Sequence, residues 1–187
     1  VVGLNILNNT INNWAASNTT IDYSSHGNAA IWFASACGSH SVTAIIQGNT
    51  LTGNRYTNLE MWCPLNTQVL NNTVSGTVCG RADSANGAPG ELGNEMMRED
   101  CLTDSGPNVT TNTLYKGNNI YNMVGTCSLT VPSGGWSEWA GLHVDDGCAG
   151  GTFEQNQVHD LVAGNMSTAY AGIQLEQHTA GWTVQNN

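Results

Sequence analysis

A short phrase returns along this chain: an apolar residue, two spacers, Asn, one more residue, then an aliphatic. It reads Ile6-Leu-Asn-Asn9-Thr-Ile11, Ile46-Gln-Gly-Asn49-Thr-Leu51, Val69-Leu-Asn-Asn72-Thr-Val74, Val109-Thr-Thr-Asn112-Thr-Leu114 and Phe153-Glu-Gln-Asn156-Gln-Val158. A sixth copy, Val184-Gln-Asn-Asn187, ends the sequence. Self-similarity at a period of tens of residues signals a solenoid. The Asn positions step by 40, 23, 40, 44 and 31 residues. The shortest step suits one turn of a three-sided parallel β-solenoid, and the longer ones read as the same turn carrying loops.

A second pattern fixes the register. Between Asn phrases lie strands of alternating polarity: Ile31-Trp32-Phe33, Leu59-Glu60-Met61, Met96-Met97, Leu142-His143-Val144 and Ile173-Gln174-Leu175. A period of two sends one set inward and its neighbours outward. Two strand types in fixed order over nearly the whole chain resemble the right-handed parallel β-helix repeat proteins of the pectate-lyase-like superfamily. The expected fold is therefore an all-β, right-handed parallel β-helix of about six rungs with long loop insertions. Residues 1–187 read as one β-helix domain, an interior segment of a longer chain, because neither terminus has the character of a cap.

Composition narrows the partners. The chain has 187 residues, 40% of them hydrophobic and 10% charged, with 4 Lys+Arg against 14 Asp+Glu. The formal charge of −10 and four scattered cations, Arg55, Arg81, Arg98 and Lys116, argue against nucleic acid and against anionic lipid. No apolar stretch is long enough to span a bilayer as a helix, so no membrane insertion is expected.

Six cysteines, at 37, 63, 79, 101, 127 and 148, show no zinc spacing. Their gaps of 26, 16, 22, 26 and 21 residues approach one solenoid turn, which would bring Cα atoms to roughly 5 Å. Sequential pairing is expected among the alternatives: Cys37–Cys63, Cys79–Cys101 and Cys127–Cys148. Bridges of this kind imply an extracellular or cell-surface protein; buried thiols in a reducing compartment are the alternative. Sequons at Asn8, Asn18, Asn71, Asn108 and Asn165 are compatible with surface exposure, although Asn8 and Asn71 lie within the repeat phrase itself.

Candidate chemistry concentrates on the outward face of the alternating strands. Aligning them gives one column of Trp32, Glu60, Met96, His143 and Gln174, and a second of Ala34, Trp62, Arg98, Asp145 and Glu176. With rungs ~4.8 Å apart, Asp145 and Glu176 would face each other as paired acid and base, His143 would serve as general base, and Arg98 would neutralise a uronate. Trp32, Glu60 and Trp62 would bind a sugar chain, joined by Trp136 and Trp139 from a long Gly/Ser-rich insert, residues 121–139; a similar insert covers 77–95. A plain solvated face, and tryptophans that merely cover the core, are the competing readings.

The element His143-Val-Asp145-Asp146-Gly-Cys148 resembles the double Asp of pectin-hydrolysing members of that superfamily, whose Gly-His-Gly and Arg-x-Lys motifs are absent here. The resemblance implies a polysaccharide partner and, for an enzyme, lyase or glycoside hydrolase chemistry. No organic cofactor is expected; Glu99, Asp100, Asp104, Asp145 and Asp146 are candidate oxygen ligands for Ca²⁺. The repeated Asn residues read as a structural ladder, with Thr10, Thr50, Thr73 and Thr113 as a parallel Thr column. The runner-up function is a structural subunit of an extracellular filament, spike or adhesin, self-associating end to end through open rungs.

Overall fold

A computed structural model describes residues 2–14, 29–34, 42–55, 57–77, 80–82, 91–101, 109–123, 136–145, 147–162, 169–176 and 178–187. Among them the structure is all-β, and no helix is long and apolar enough to cross a membrane. Three long sheets carry most of the described chain, and a fourth, two-stranded and parallel, joins Val109–Thr110 to Cys148–Ala149. The first takes Val2–Leu7, Thr43–Gln47, Gln68–Leu70, Leu114–Lys116, Thr152–Glu154 and Thr183–Gln185 in that order. The second takes Thr10–Asn12, Thr50–Thr52, Thr73–Ser75, Asn119–Met123 and Gln157–Leu161. In the third lie Ala29–Ala34, Thr57–Trp62, Glu91–Asp100, Trp136–Asp145 and Ala169–Leu175. Neighbours along all three rows run parallel, so each passage of the chain lays its strands beside those of the passage before. The antiparallel exception is Gly80–Ala82 against the start of Glu91–Asp100.

The Asn phrase marks the corner between the first and second sheets. The backbone N–H and side-chain amide of Asn49 both donate to Oδ1 of Asn72, each at 2.9 Å. Asn72 donates in the same way to Asn118, Asn118 to Asn156, and Asn156 to Asn187. The amide of each also reaches back to the carbonyl of the apolar residue that opens the preceding phrase, as from Asn72 to Ile46 and from Asn118 to Val69. Asn49, Asn72, Asn118 and Asn156 are buried, and the ladder satisfies corner groups that would otherwise lack partners.

The residue before each ladder Asn turns the chain through the left-handed region: Asn8, Gly48, Asn71, Gly117, Gln155 and Asn186 all have φ between 52° and 67°. Asn and Gly tolerate that conformation best. Their alternation has a packing cause as well. A Cβ on Gly48 would stand 2.4 Å from Oδ1 of Asn8, and one on Gly117 would stand 2.4 Å from Oδ1 of Asn71.

One rung of the expected ladder is corrected. Its fourth member is Asn118, within Tyr115-Lys-Gly-Asn118-Asn-Ile120, and Asn112 belongs to a different corner. Asn112 itself has φ 50°, and its amide donates to Asn66, another left-handed residue, at 3.2 Å. The Thr column changes with it: Asn119, not Thr113, pairs with Thr73.

The interior holds Ile46, Val69, Tyr115 and Phe153 from the first sheet, Leu51, Val74 and Ile120 from the second, and Leu59, Met61, Met97, Leu142 and Val144 from the third. Tyr115, Phe153 and Trp182 form a row of rings with successive centroids 4.9 Å apart for Tyr115–Phe153 and for Phe153–Trp182. Cys101 and Cys148 form a disulfide with Cα atoms 5.2 Å apart. That bridge excludes the expected Cys79–Cys101 and Cys127–Cys148 pairs. Cys101 directly follows the strand Glu91–Asp100, and Cys148 opens the short strand Cys148–Ala149 that comes after its neighbour Trp136–Asp145, whereas Cys79 and Cys127 lie outside the described residues. Cys63 is also disulfide-bonded, and Cys37, its expected partner, lies outside them as well.

Candidate functional site: a buried charge row on the third sheet

The third sheet brings two columns of polar side chains together. Trp32 pairs with Glu60, Glu60 with Arg98, Arg98 with His143, and His143 with Gln174. Beside this column run Trp62, Asp100 and Asp145. Glu176 follows, its N–H donating to the carbonyl of Val144 at 2.9 Å.

The register corrects the sequence alignment by two residues in one strand. Arg98 stands level with Glu60 and His143, and Asp100 takes the place expected for Arg98. Met96, expected outward, is buried in the core beside Met97. Two consecutive inward methionines break the alternation there, and an alignment built on period two cannot show that break.

Arg98 is the hub. Nη1 donates to Glu95 at 3.0 Å, and Nη2 donates to Asp100 at 3.3 Å and to Asp145. Only 5% of Arg98 is exposed, so its fork is committed to these carboxylates rather than presented to a uronate. His143, fully enclosed, makes a close contact through Nδ1 with Glu95. Burial alone would disfavour a charged imidazole, but Glu95 and Asp145 outweigh it and hold the His143 pKa at about 10. The ring is therefore a cation at neutral pH, and a general-base role does not fit it. Its Nε2 lies 4.0 Å from Glu176 Oε2.

Glu60 accepts a hydrogen bond from the Trp62 indole at 2.8 Å, yet burial pushes its pKa up to about 8 despite Arg98 nearby. Its second carboxylate oxygen has no hydrogen-bond partner, consistent with a protonated group at neutral pH. Glu176 is the part of the row nearest solvent at this end, and Gln174 donates to it at 2.9 Å. At the other end Trp32 is 46% exposed and meets Trp62 edge to face, with centroids 5.6 Å apart.

Several expected ligands are placed elsewhere. Trp139 is a core residue, 2% exposed, and so is not available to stack on sugar. The strand of Trp136 is described but its side chain is not. Of the suggested Ca²⁺ set, Glu99 points into the interior, where Tyr115 donates to it at 3.1 Å across the core. Burial raises the Glu99 pKa to about 7 against the hydroxyls of Thr111, Thr113 and Tyr115. Asp100 and Asp145 are held by Arg98, while Asp104 and Asp146 lie outside the described residues, so these five do not form one cation site among the described residues.

Sequence reasoning missed Glu95, and it named Asp100 only as a candidate Ca²⁺ ligand, not as a partner of Arg98. A signal for both was present: they flank Arg98 at three and two residues in a chain with only four Lys+Arg. Much of the two expected inserts, residues 83–90 and 124–135, lies outside the described residues, but their ends are strand: Glu91–Asp100 and Trp136–Asp145 each run ten residues.

Asp145, His143 and Glu176 each offer a ligand atom, and the three atoms lie within 4.8 Å of one another. The same spacing joins Glu99, Cys101 and Cys148, but there both sulfurs are spent in the disulfide. Comparison with protein-family models, with curated proteins and with solved structures finds no match.

Proposed function

We propose that the chain is an extracellular right-handed parallel β-helix of the pectate-lyase-like kind that engages polysaccharide along its third sheet. Three parallel sheets filled in the same order by successive passages support the fold, and the general right-handedness of parallel crossovers supports its hand. The Cys101–Cys148 disulfide fits an oxidising compartment.

The observation that carries the glycan reading is the solvent-open Trp32–Trp62 pair at one end of a carboxylate row. An aromatic face takes the apolar face of a pyranose. The Trp62–Glu60 hydrogen bond fixes the pair in place. The charge narrows the ligand. Carboxylates outnumber cations in the row and the chain carries −10, so a polyuronate would be repelled. Neutral or amino-sugar polymers suit the face. If the protein turns its ligand over, Asp145 and Glu176 are the acid–base pair, close to the ~5 Å separation of retaining glycosidase carboxylates.

The test is binding and product analysis on neutral, amino-sugar and uronate polysaccharides. The expected result is binding to the first or second class that Trp32→Ala weakens by about tenfold, a loss of roughly 1–2 kcal/mol of stacking. If turnover is present, Asp145→Asn and Glu176→Gln abolish it. Absence of binding across the panel overturns the proposal and favours a structural subunit instead.

A further inference from the structure

We propose that His143, Asp145 and Glu176 form a binding site for one transition-metal dication with zinc-like ligand preference. One neutral imidazole and two carboxylates are a donor set that such ions accept, the ion taking the place of the proton that His143 otherwise carries and leaving the remaining positions to water or ligand. Their donor atoms already lie within 4.8 Å of one another, His143 and Asp145 on one strand and Glu176 just past the end of its neighbour, Ala169–Leu175. At metal–ligand bonds of ~2.1 Å, tetrahedral donors stand about 3.4 Å apart, so the set must contract by roughly an ångström. Glu176, the most exposed of the three, is the member able to make that movement.

The surroundings are those of a prepared site. Glu95 contacts Nδ1 of His143, the ring nitrogen opposite the proposed ligand atom, and so orients Nε2 toward Glu176. Carboxylates placed behind metal-bound histidines fix the ring in this way. Arg98 holds Asp145 by an ion pair. Gln174 donates to Glu176, and its own Oε1 is buried with no hydrogen-bond partner, which leaves an acceptor oxygen unsatisfied beside the triad. Glu95, Asp100, Asp145 and Glu176 surround a single guanidinium and a single imidazole, an excess of negative charge that a dication offsets. The Ca²⁺ set expected from sequence shares only Asp145 with this one, and the imidazole favours a softer ion than calcium.

The test uses the intact protein stripped of metal by chelator, with Zn²⁺ and Co²⁺ as probes and no glycan present, so its outcome is separate from the glycan reading. Equilibrium dialysis is expected to give one Zn²⁺ per chain, and Co²⁺ to give visible ligand-field bands that Zn²⁺ abolishes. Glu176→Gln, a partly exposed change, should weaken binding by about tenfold or more, and Glu95→Gln by about tenfold through loss of ring orientation. His178→Gln, at an exposed histidine two residues beyond Glu176, should leave affinity unchanged. No Co²⁺ band, affinity indifferent to Glu176→Gln, or equal displacement of Zn²⁺ by Ca²⁺ would overturn the site.

Discussion

Asn118 and Asn112 show how two similar residues in similar phrases acquire different roles. The Oδ1 of Asn118 accepts from both the backbone and the side chain of Asn72, while its own amide serves Val69 and Asn156. Asn118→Ala leaves buried donors and an acceptor without partners, so a loss of about 2–4 kcal/mol is expected in urea unfolding. Asn112 occupies a left-handed corner that glycine accepts, and Asn112→Gly should change stability by only a few tenths of a kcal/mol, about as a cap position does. Equal losses for the two would contradict the ladder assignment. Arg98 is a sharper case. Arg98→Met strands three carboxylates in a buried row and is expected to cost about 3–5 kcal/mol, with Asp145→Asn in the same chain recovering part of it. A double-mutant cycle measures that recovery.

At the scale of the strand, the third sheet concentrates groups whose protonation differs between folded and unfolded chains. Glu60 rises from 4.5 to about 8, Glu99 from 4.5 to about 7 and His143 from 6.5 to about 10. All three bind protons more tightly when folded. Their contribution is therefore complete below the unfolded values and is lost as pH rises through the folded ones. Thermal melts should show stability falling from about pH 5 towards pH 10, with the two carboxyls acting first and His143 last. Glu60→Gln, which mimics the protonated carboxyl, should flatten the lower part of that fall; an unchanged profile would contradict the burial of Glu60. Much of this strand geometry was legible in the sequence. The phrases around Asn9, Asn49, Asn72, Asn156 and Asn187 marked true corners, and four of the five alternating strands were aligned in register. The Met96–Met97 strand failed because both methionines turn inward, and the Asn112 phrase matched in spacing alone. The left-handed residue before each ladder Asn, usually Asn or Gly, was the discriminating signal: Gly117 has it and Thr111 does not.

Across the whole molecule, stacking of successive passages converts distant sequence into neighbouring chemistry. His143 touches Glu95, 48 residues away, and Arg98 reaches Asp145 across 47. No local motif could announce those contacts, because they exist only once the register of the third sheet is fixed. The disulfide joins the same two passages two residues out of that register: strand partners stand 45 residues apart, whereas Cys101 and Cys148 close a separation of 47. Replacing both by Ser should cost about 4 kcal/mol through the freedom restored to the unfolded chain. The adjacency of the strands that carry Arg98 and His143, as neighbouring passages of the third sheet, is the claim on which the charge row depends. Non-reducing peptide mapping of the native protein tests it most directly. The account predicts a disulfide-linked peptide pair containing Cys101 and Cys148; peptides linking Cys79 to Cys101 and Cys127 to Cys148 would contradict it.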